Sequence, residues 1–377
     1  EFPTLLRKQS ASLVRTSIPP PINTASASSP LKRTILPSPA PPVGISDTPP
    51  DNTGQPGTFR VGVSSDRNRR CRRTMEDSHS FFYNFANVPG QGFFTIFDGH
   101  AGKQAAEWCG LHFHEVFLDF LQASKSTESK PSPQSDASAA PHQSPSQASP
   151  LSSPVAAAAA IEPLTKFSDP TADLSIPELL YRTFVESDRR ISAELDSQSG
   201  CTAVAAFLQV NSKTNSVPAF ADTDHKAASD VMPRWTLYLG NAGDARAVLA
   251  RDGRAVRLTY DHKGDDPNEV RRIMEAGGFV LNNRVNGVLA VTRALGDTSM
   301  KEVVVGHPYT TETTVTTGAD YLILACDGLW DVCSDQKAVD LIRSIDDPQQ
   351  ASETLTKYAL DNFSRDNITV MVVRLYH

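Results

Sequence analysis

Apolar residues gather in short runs that end on carboxylates. Phe93-Phe94-Thr95-Ile96-Phe97 stops at Asp98-Gly99-His100, and Tyr321-Leu322-Ile323-Leu324-Ala325 stops at Cys326-Asp327-Gly328. Near the C-terminus the order reverses, and Arg365-Asp366-Asn367 opens into Ile368-Thr369-Val370-Met371-Val372-Val373. Runs of this length, rich in aromatic and β-branched residues, predict buried strands. Further strands are predicted at Phe59–Val63, Phe81–Phe85, Cys201–Val210, Trp235–Leu239, Ala245–Ala250, Ala255–Leu258, Phe279–Leu281 and Val285–Val291. Helical spacing predicts helices over Ala101 to about Leu121, Ile176 to about Leu195, Pro267 to about Ala276, Ser334–Ile345 and Ala351–Phe363. Asp266 can cap the third of these, and Gly277-Gly278 can stop it. Dense turn signals fall at Asn87–Gly92, Gly240–Asp244 and Arg251–Arg254.

Strands and helices do not alternate regularly, so a doubly wound parallel sheet is not expected. The order suits an α+β fold of antiparallel sheets packed face to face with helices outside. Polar stretches interrupt it. Residues 1–58 and 124–170 are Pro/Ser-rich, and 211–233 are polar with little periodicity. None can bury enough apolar surface to offset its ordering entropy, so all three are expected to be disordered. The expected organisation is a tail over 1–58 and a single domain over 59–377. The 124–170 insertion joins two helices, where a long loop costs little in closure.

Composition narrows the field. A net charge of −7 argues against nucleic acid as the main partner. No apolar stretch reaches the length of a membrane-spanning helix. The five cysteines are scattered, odd in number and without a C-x-x-C pair, which fits a reduced cytoplasmic or nuclear setting. Arg7, Lys8, Arg15, Lys32 and Arg33, with no acid between Glu1 and Asp47, make mitochondrial import a lesser alternative. Pro19-Pro20-Pro21 works against the amphipathic helix import requires.

The chemistry follows from the acids. Asp98, Asp327 and Asp366 at strand ends, with Glu76 and Asp77, would form a crowded anionic cleft. Two such charges ~4 Å apart repel by about 4 kcal/mol at an effective dielectric of 20. A fold gathers them only where a cation neutralises them or some take up protons. Taken singly, each aspartate reads better as a turn cap; three together read as a cation site. Oxygen donors without Cys/His ligand spacing favour Mg²⁺ or Mn²⁺ over Zn²⁺, and the surplus of carboxylates favours two ions acting on a phosphoryl group. Arg72 suits a phosphate clamp, because a guanidinium fork matches phosphate oxygens; Arg67, Arg69 and Arg70 read as solvated surface. His100 reads equally as a general acid for a leaving alkoxide or as a helix-start cap. The C-x5-R loop of thiol phosphatases, the P-loop spacing and the G-x-S-x-G elbow are all missing from the sequence.

Seven motifs then stand in one order: Arg72-Arg73-Thr74-Met75-Glu76-Asp77, Phe97-Asp98-Gly99-His100, Ser199-Gly200-Cys201-Thr202-Ala203, Gly240-Asn241-Ala242-Gly243-Asp244-Ala245-Arg246, Arg284-Val285-Asn286-Gly287 with Ala294-Leu295-Gly296-Asp297, Ala325-Cys326-Asp327-Gly328-Leu329-Trp330-Asp331, and Asp366-Asn367. Together they resemble the type 2C (PPM family) protein serine/threonine phosphatases. With Gln104, Trp108-Cys109-Gly110 and Asp261-His262-Lys263, the chain is most similar to the small fungal members. The resemblance implies a PP2C-type α-β-β-α sandwich with a dinuclear Mg²⁺/Mn²⁺ site at one end. It implies that Asp98 bridges two ions, that Asp327 and Asp366 complete one, and that Glu76 and the Gly99 carbonyl serve the other. Asp77 would act through water, and Asp244 and Asp331 with Asp327 match a weaker third site. Arg72 would hold the phosphate and His100 would be the general acid, with a hydroxide bridging the ions attacking phosphorus directly. Thr202 and Asp297 match positions read as structural, and Asp261 to about Val291 corresponds to a flap beside the cleft. The implied partners are phosphoprotein substrates, with stress MAP kinase pathways as candidates, and a monomer is expected. The rival reading is a catalytically silent binding protein of the same fold, whose mark would be lost ligands.

Overall fold

The computed structural model describes residues 58–127, 174–211, 235–316 and 318–376. All of them lie within one compact unit, Pro42–His377. In chain order the first elements are β1 (Thr58–Asp66), β2 (Ser78–Tyr83), β3 (Gly92–Phe97), β4 (Gly99–His100), α1 (Gln104–Thr127) and α2 (Ile176–Glu194). Next come β5 (Gly200–Cys201), β6 (Ala203–Val210), β7 (Trp235–Ala242), β8 (Arg246–Arg251), β9 (Arg254–Arg257) and α3 (Pro267–Glu275). The short strands β10 (Val280–Leu281), β11 (Arg284–Val285) and β12 (Leu295–Gly296) precede β13 (Tyr309–Val315) and β14 (Ala319–Ala325). The chain then forms α4 (Asp327–Trp330), α5 (Asp335–Ile342), α6 (Pro348–Asp361) and β15 (Ile368–Tyr376).

Two five-stranded antiparallel sheets carry the molecule, in the orders β1-β15-β14-β8-β9 and β13-β7-β6-β3-β2. Alternate residues of each central strand feed different cores. In β3, Phe94 and Ile96 face the core between the sheets with Val204, Leu237, Leu324 and Met371. Phe93 and Phe97 point the other way, into α1 and α2, where they meet Phe113, Phe117, Phe184 and Phe207. On the opposite flank, Val248, Ile323, Val370 and Val372 of the first sheet pack on Leu329, Val339 and Leu355 of α4–α6. Covering both faces explains why these strands read as unbroken apolar runs; each fully buried Phe contributes about 1.5–3 kcal/mol. The fold is thus the expected α+β arrangement, helix pair, sheet, sheet, helices.

Several boundaries differ from the sequence reading, each for a local reason. The helix expected from Ala101 begins at Gln104, because Gly99-His100 pair with Gly200-Cys201 instead. Ala101 (φ 54°) and Gly102 (φ 120°) turn the chain between them. The strand expected over Cys201–Val210 breaks at Thr202, whose N–H donates to the Asp98 carbonyl at 2.9 Å. Residues 240–242, read as a turn, complete β7, and only Gly243–Ala245 turn. The expected strand Phe81–Phe85 stops at Tyr83, because Asn84, Ala86 and Asn87 take positive φ. The strand expected over Val285–Val291 keeps only its first residue as strand, in a two-residue hairpin. β13, whose Thr-Glu-Thr-Thr run hides its alternation, was not foreseen, nor was α4. Helix α1 runs on through Thr127, into the start of the expected 124–170 insertion. The rest of that insertion, the 1–57 tail and residues 212–234 lie outside the described residues.

Candidate active site

Strand ends from both sheets bring the acids together. β3 leaves the core into Asp98, β14 leads through Cys326 into Asp327, and Asp366 stands just before β15. Asp244 occupies the turn between β7 and β8, and Glu76-Asp77 precede β2, which pairs with β3. One carboxylate oxygen each from Asp98, Asp244 and Asp327 lie within 4.8 Å of one another. Oxygens of Asp77 and Asp98 form a second such group with the Cys326 sulfur.

This proximity is electrostatically costly. Burial first, then the carboxylates of Asp77, Asp327, Asp244 and Asp366, push Asp98 well above the usual carboxylate range. Burial, with Asp244 and Asp366 adding, does the same to Asp327. Burial lifts Asp77 to about 6 although Thr369 and Cys326 donate to it. Burial likewise lifts Asp244 to about 6 against the pull of Lys263. Asp77 Oδ2 accepts from Thr369 Oγ1 at 2.7 Å and from Cys326 Sγ at 3.5 Å. Burial raises the Cys326 thiol far above its ordinary range, so it is a donor rather than a thiolate ligand. The opposite oxygens, Oδ1 of Asp77, Asp244 and Asp327, are buried with no hydrogen-bond partner among the described residues. Buried ionised carboxylates without partners cost several kcal/mol. Oxygens gathered, desolvated and left unpaired in this way fit a hard divalent cation.

The remaining predicted residues border this cluster. Glu76 accepts from Thr74 Oγ1 at 2.8 Å and from the Gly102 N–H at 3.3 Å. Its own N–H donates to Asn367 Oδ1 at 2.9 Å. The Asn367 amide donates to the carbonyls of Arg67 (2.9 Å) and Thr74 (3.0 Å), so one side chain pins both ends of the arginine-rich loop beside Asp366. Arg72 donates to the Asp366 carboxylate and to the Arg365 carbonyl, with its side chain nearly half exposed. Gly328 must be glycine, because a Cβ there would lie 1.9 Å from the Asn367 carbonyl oxygen. Asp331, at the rim, pairs with Lys263 at 3.1 Å, and Lys263 also stands 3.7 Å from Asp244.

His100 lies in a strand rather than at a helix cap, which removes the cap alternative. Its Nε2 is 2.7 Å from Asp297 Oδ2, and Asp297 is nearly buried. β4, β5 and β12 form a three-stranded ribbon that holds this pair, with His100 opposite Gly200. A Cβ on Gly200 would come within 2.2 Å of Asp297 Oδ2 and 2.5 Å of His100 Nε2. Asp297, read as structural, thus stands in contact with His100. The support from Thr369 was not foreseen, because a threonine inside an apolar strand carries no distinctive signal; Asn367 stood in the last motif, but without its bonding role.

The α-β-β-α fold with an acidic cluster at the sheet ends is that of a class of protein phosphatases. A family model described as Protein phosphatase 2C matches residues 61–164 and 155–368. Protein phosphatase 2C homolog 1 of Saccharomyces cerevisiae is 38% identical over 318 residues, covering 84% of this chain and 94% of that protein. Its namesake in Schizosaccharomyces pombe is 39% identical over 317 residues, covering 84% and 73%. A phosphatase from a pathogenic strain of Toxoplasma gondii shares the fold, with a TM-score of 0.59 at 22% identity, covering 85% of this chain and 94% of that one. The chain belongs to the protein phosphatase 2C family and is a protein serine/threonine phosphatase. No helix among the described residues is long and apolar enough to cross a membrane.

Proposed function

We propose that the acidic cluster hydrolyses phosphoserine and phosphothreonine in proteins with Mg²⁺ or Mn²⁺ as cofactor. The observation that carries this reading is the set of buried oxygens on Asp77, Asp244 and Asp327 that no donor among the described residues satisfies. In this reading Asp98 would contribute to both cations, with Asp327 and Asp366 holding one and Glu76 and the Gly99 carbonyl the other. Asp77 would act through ordered water, and Asp244 and Asp331 with Asp327 would hold a weaker third. Cations bound there supply neutralising charge and make a water acidic enough to attack phosphorus at neutral pH.

The chain's own residues do the rest. Arg72 exchanges part of its contact with Asp366 for the substrate phosphate, whose oxygens suit the same fork. His100 gives a proton to the departing serine or threonine oxygen, a poor leaving group as an alkoxide. Asp297 fixes the imidazole through Nε2 and leaves Nδ1 for that proton. Stress-activated MAP kinase pathways are the proposed source of substrates, on the resemblance to the fungal members. The five cysteines carry no disulfide, which supports a cytoplasmic or nuclear setting.

The test is turnover of a phosphopeptide by the purified chain with Mn²⁺, with chelator, and as Asp98→Ala. Turnover is expected only in the first case, and undiminished turnover with chelator would overturn the reading. A nucleotide substrate serves as the comparison that establishes protein preference. Unchanged phosphothreonine on a doubly phosphorylated MAP kinase would remove that substrate class.

A further inference from the structure

One protein cation reaches the acidic cluster from the flap. Lys263 Nζ lies 3.1 Å from Asp331 Oδ1 and 3.7 Å from Asp244 Oδ2. Among the described residues no other ion pair reaches either aspartate, and none reaches Asp98 or Asp327. The Asp244 side chain is 8% exposed, and its Oδ1 is one of the buried oxygens without a partner. Lys263 thus neutralises one end of the cluster in part, acts on Asp327 only at longer range, and makes no ion pair with Asp98 or Asp327.

The backbone of the same residue closes a loop. Lys263 forms a bridge with Val291, and between them the chain builds α3 and the β10–β11 hairpin. Its neighbour His262 donates its N–H to the Gly243 carbonyl at 2.9 Å, which fixes the segment against the Asp244 turn. The flap base and the acidic rim therefore meet in one residue. Its backbone belongs to the loop and its ammonium to the cluster.

Resting on the cation reading above, we infer that Lys263 is a resident competitor for the third cation position, holding Asp244 and Asp331 and tying the flap base to them until a divalent ion displaces it. A dication and an ammonium cannot both use Asp244 Oδ2 and Asp331 Oδ1 without close like-charge contact. The ion bound there must first displace Lys263, whereas at Asp98 and Asp327 no ion pair has to be broken, and Asp366 keeps its own with Arg72 at the rim. Competition with Lys263 weakens the third position, and filling it frees the flap base. A long, flexible lysine suits the task, since its point charge can leave and return without disturbing packing.

The experiment measures Mn²⁺ binding to the full chain by titration calorimetry and by the electron paramagnetic resonance signal of the free ion. It compares wild type with Lys263→Met, which keeps length but removes charge, and with Lys263→Arg, which keeps the charge. Lys263→Met is expected to tighten the weakest Mn²⁺ step by about fivefold, the worth of a half-exposed ion pair, while leaving the tight steps unchanged. Lys263→Arg should bind as wild type does. Hydrogen exchange over residues 264–290 should rise in metal-free Lys263→Met, and in wild type at the Mn²⁺ concentration that fills the weak step. Should the variant fail to fold, the wild-type exchange measurement alone decides the coupling. An unchanged weak step in Lys263→Met, or a flap indifferent to filling it, overturns this inference while leaving the cation reading intact. A wild-type chain that binds no Mn²⁺ overturns both.

Discussion

Two groups of buried carboxylates in this molecule behave in opposite ways. Glu269, at the first turn of α3, is 2% exposed, yet Arg293 and Arg272 surround it. Burial alone would raise its carboxyl; the bonds and charge of Arg293, then Arg272, more than reverse this and hold it at about 2. Asp98 is less fully covered, but its neighbours are other carboxylates, and burial together with them pushes it well above its usual range. The fold completes the Glu269 nest from within. At Asp77 it supplies donors to one oxygen only, and at Asp244 and Asp327 a buried oxygen has no partner among the described residues, so the balancing charge has to come from outside. Burial of an acid thus says little about its role, and the identity of what surrounds it says much.

The largest effect that tests this contrast is on turnover. Asp98→Ala should lower phosphopeptide hydrolysis by about 10⁴-fold, as loss of one member of a cooperating set does. In metal-free protein the milder Asp98→Asn should stabilise the fold, because it removes one of several mutually repelling charges. Glu269→Ala should act the other way, costing about 3–5 kcal/mol in urea unfolding by leaving two guanidiniums without their partner. If both substitutions shift stability in the same direction, the distinction between the two groups fails.

How far the sequence disclosed all this depends on the kind of signal each residue carried. Asp98, Asp327 and Asp366 were legible because apolar runs ending on an acid mark where strands leave the core. The two-sided burial of β3 made that run especially plain. The Glu269–Arg293 pair was not legible: 24 residues separate them, and nothing local distinguishes a buried Glu on a short helix from a solvated one. His100 was read as a candidate site residue but not as a strand residue, since the pairing that decides it comes from Gly200, far along the chain. β13 escaped because its Thr-rich sequence alternates polar with polar, and its pairing with β7 sets its structure.

Metal-linked stability comes next in size. Mg²⁺ or Mn²⁺ at a hundred times its dissociation constant should stabilise the fold by about 2.7 kcal/mol. The pH dependence separates the two groups further. Asp77 and Asp244 have folded values near 6, above the ordinary carboxylate value of 3.8, so the folded metal-free chain binds more protons between these limits. Their contribution to stability is then greatest at low pH and declines as pH rises through about 6. Cations should reverse the decline, giving a larger thermal shift at pH 7.5 than at pH 5. Glu269 does the opposite, contributing stability above 4.5 that is lost as pH falls toward 2. His262, buried and lowered to about 3, adds to that acid loss below 6.5. A thermal shift with Mn²⁺ that is equal at both pH values would mean the cluster does not compete for protons.

The smallest effect concerns Asp297, which is hydrogen-bonded to His100 although it borders the acidic cluster. It acts on substrate only through His100, so Asp297→Asn should lower kcat for a phosphothreonine peptide by roughly tenfold, the usual scale for a support of a site residue. KM should change little, because neither Arg72 nor the cation ligands depend on it. With p-nitrophenyl phosphate, whose leaving group departs without a proton, the same substitution should cost almost nothing. That split separates a positioning role from a packing defect, which would depress both substrates together. It also sets Asp297 beside Glu269: a buried acid for which the protein itself supplies a hydrogen-bond partner, here an imidazole held in a fixed orientation.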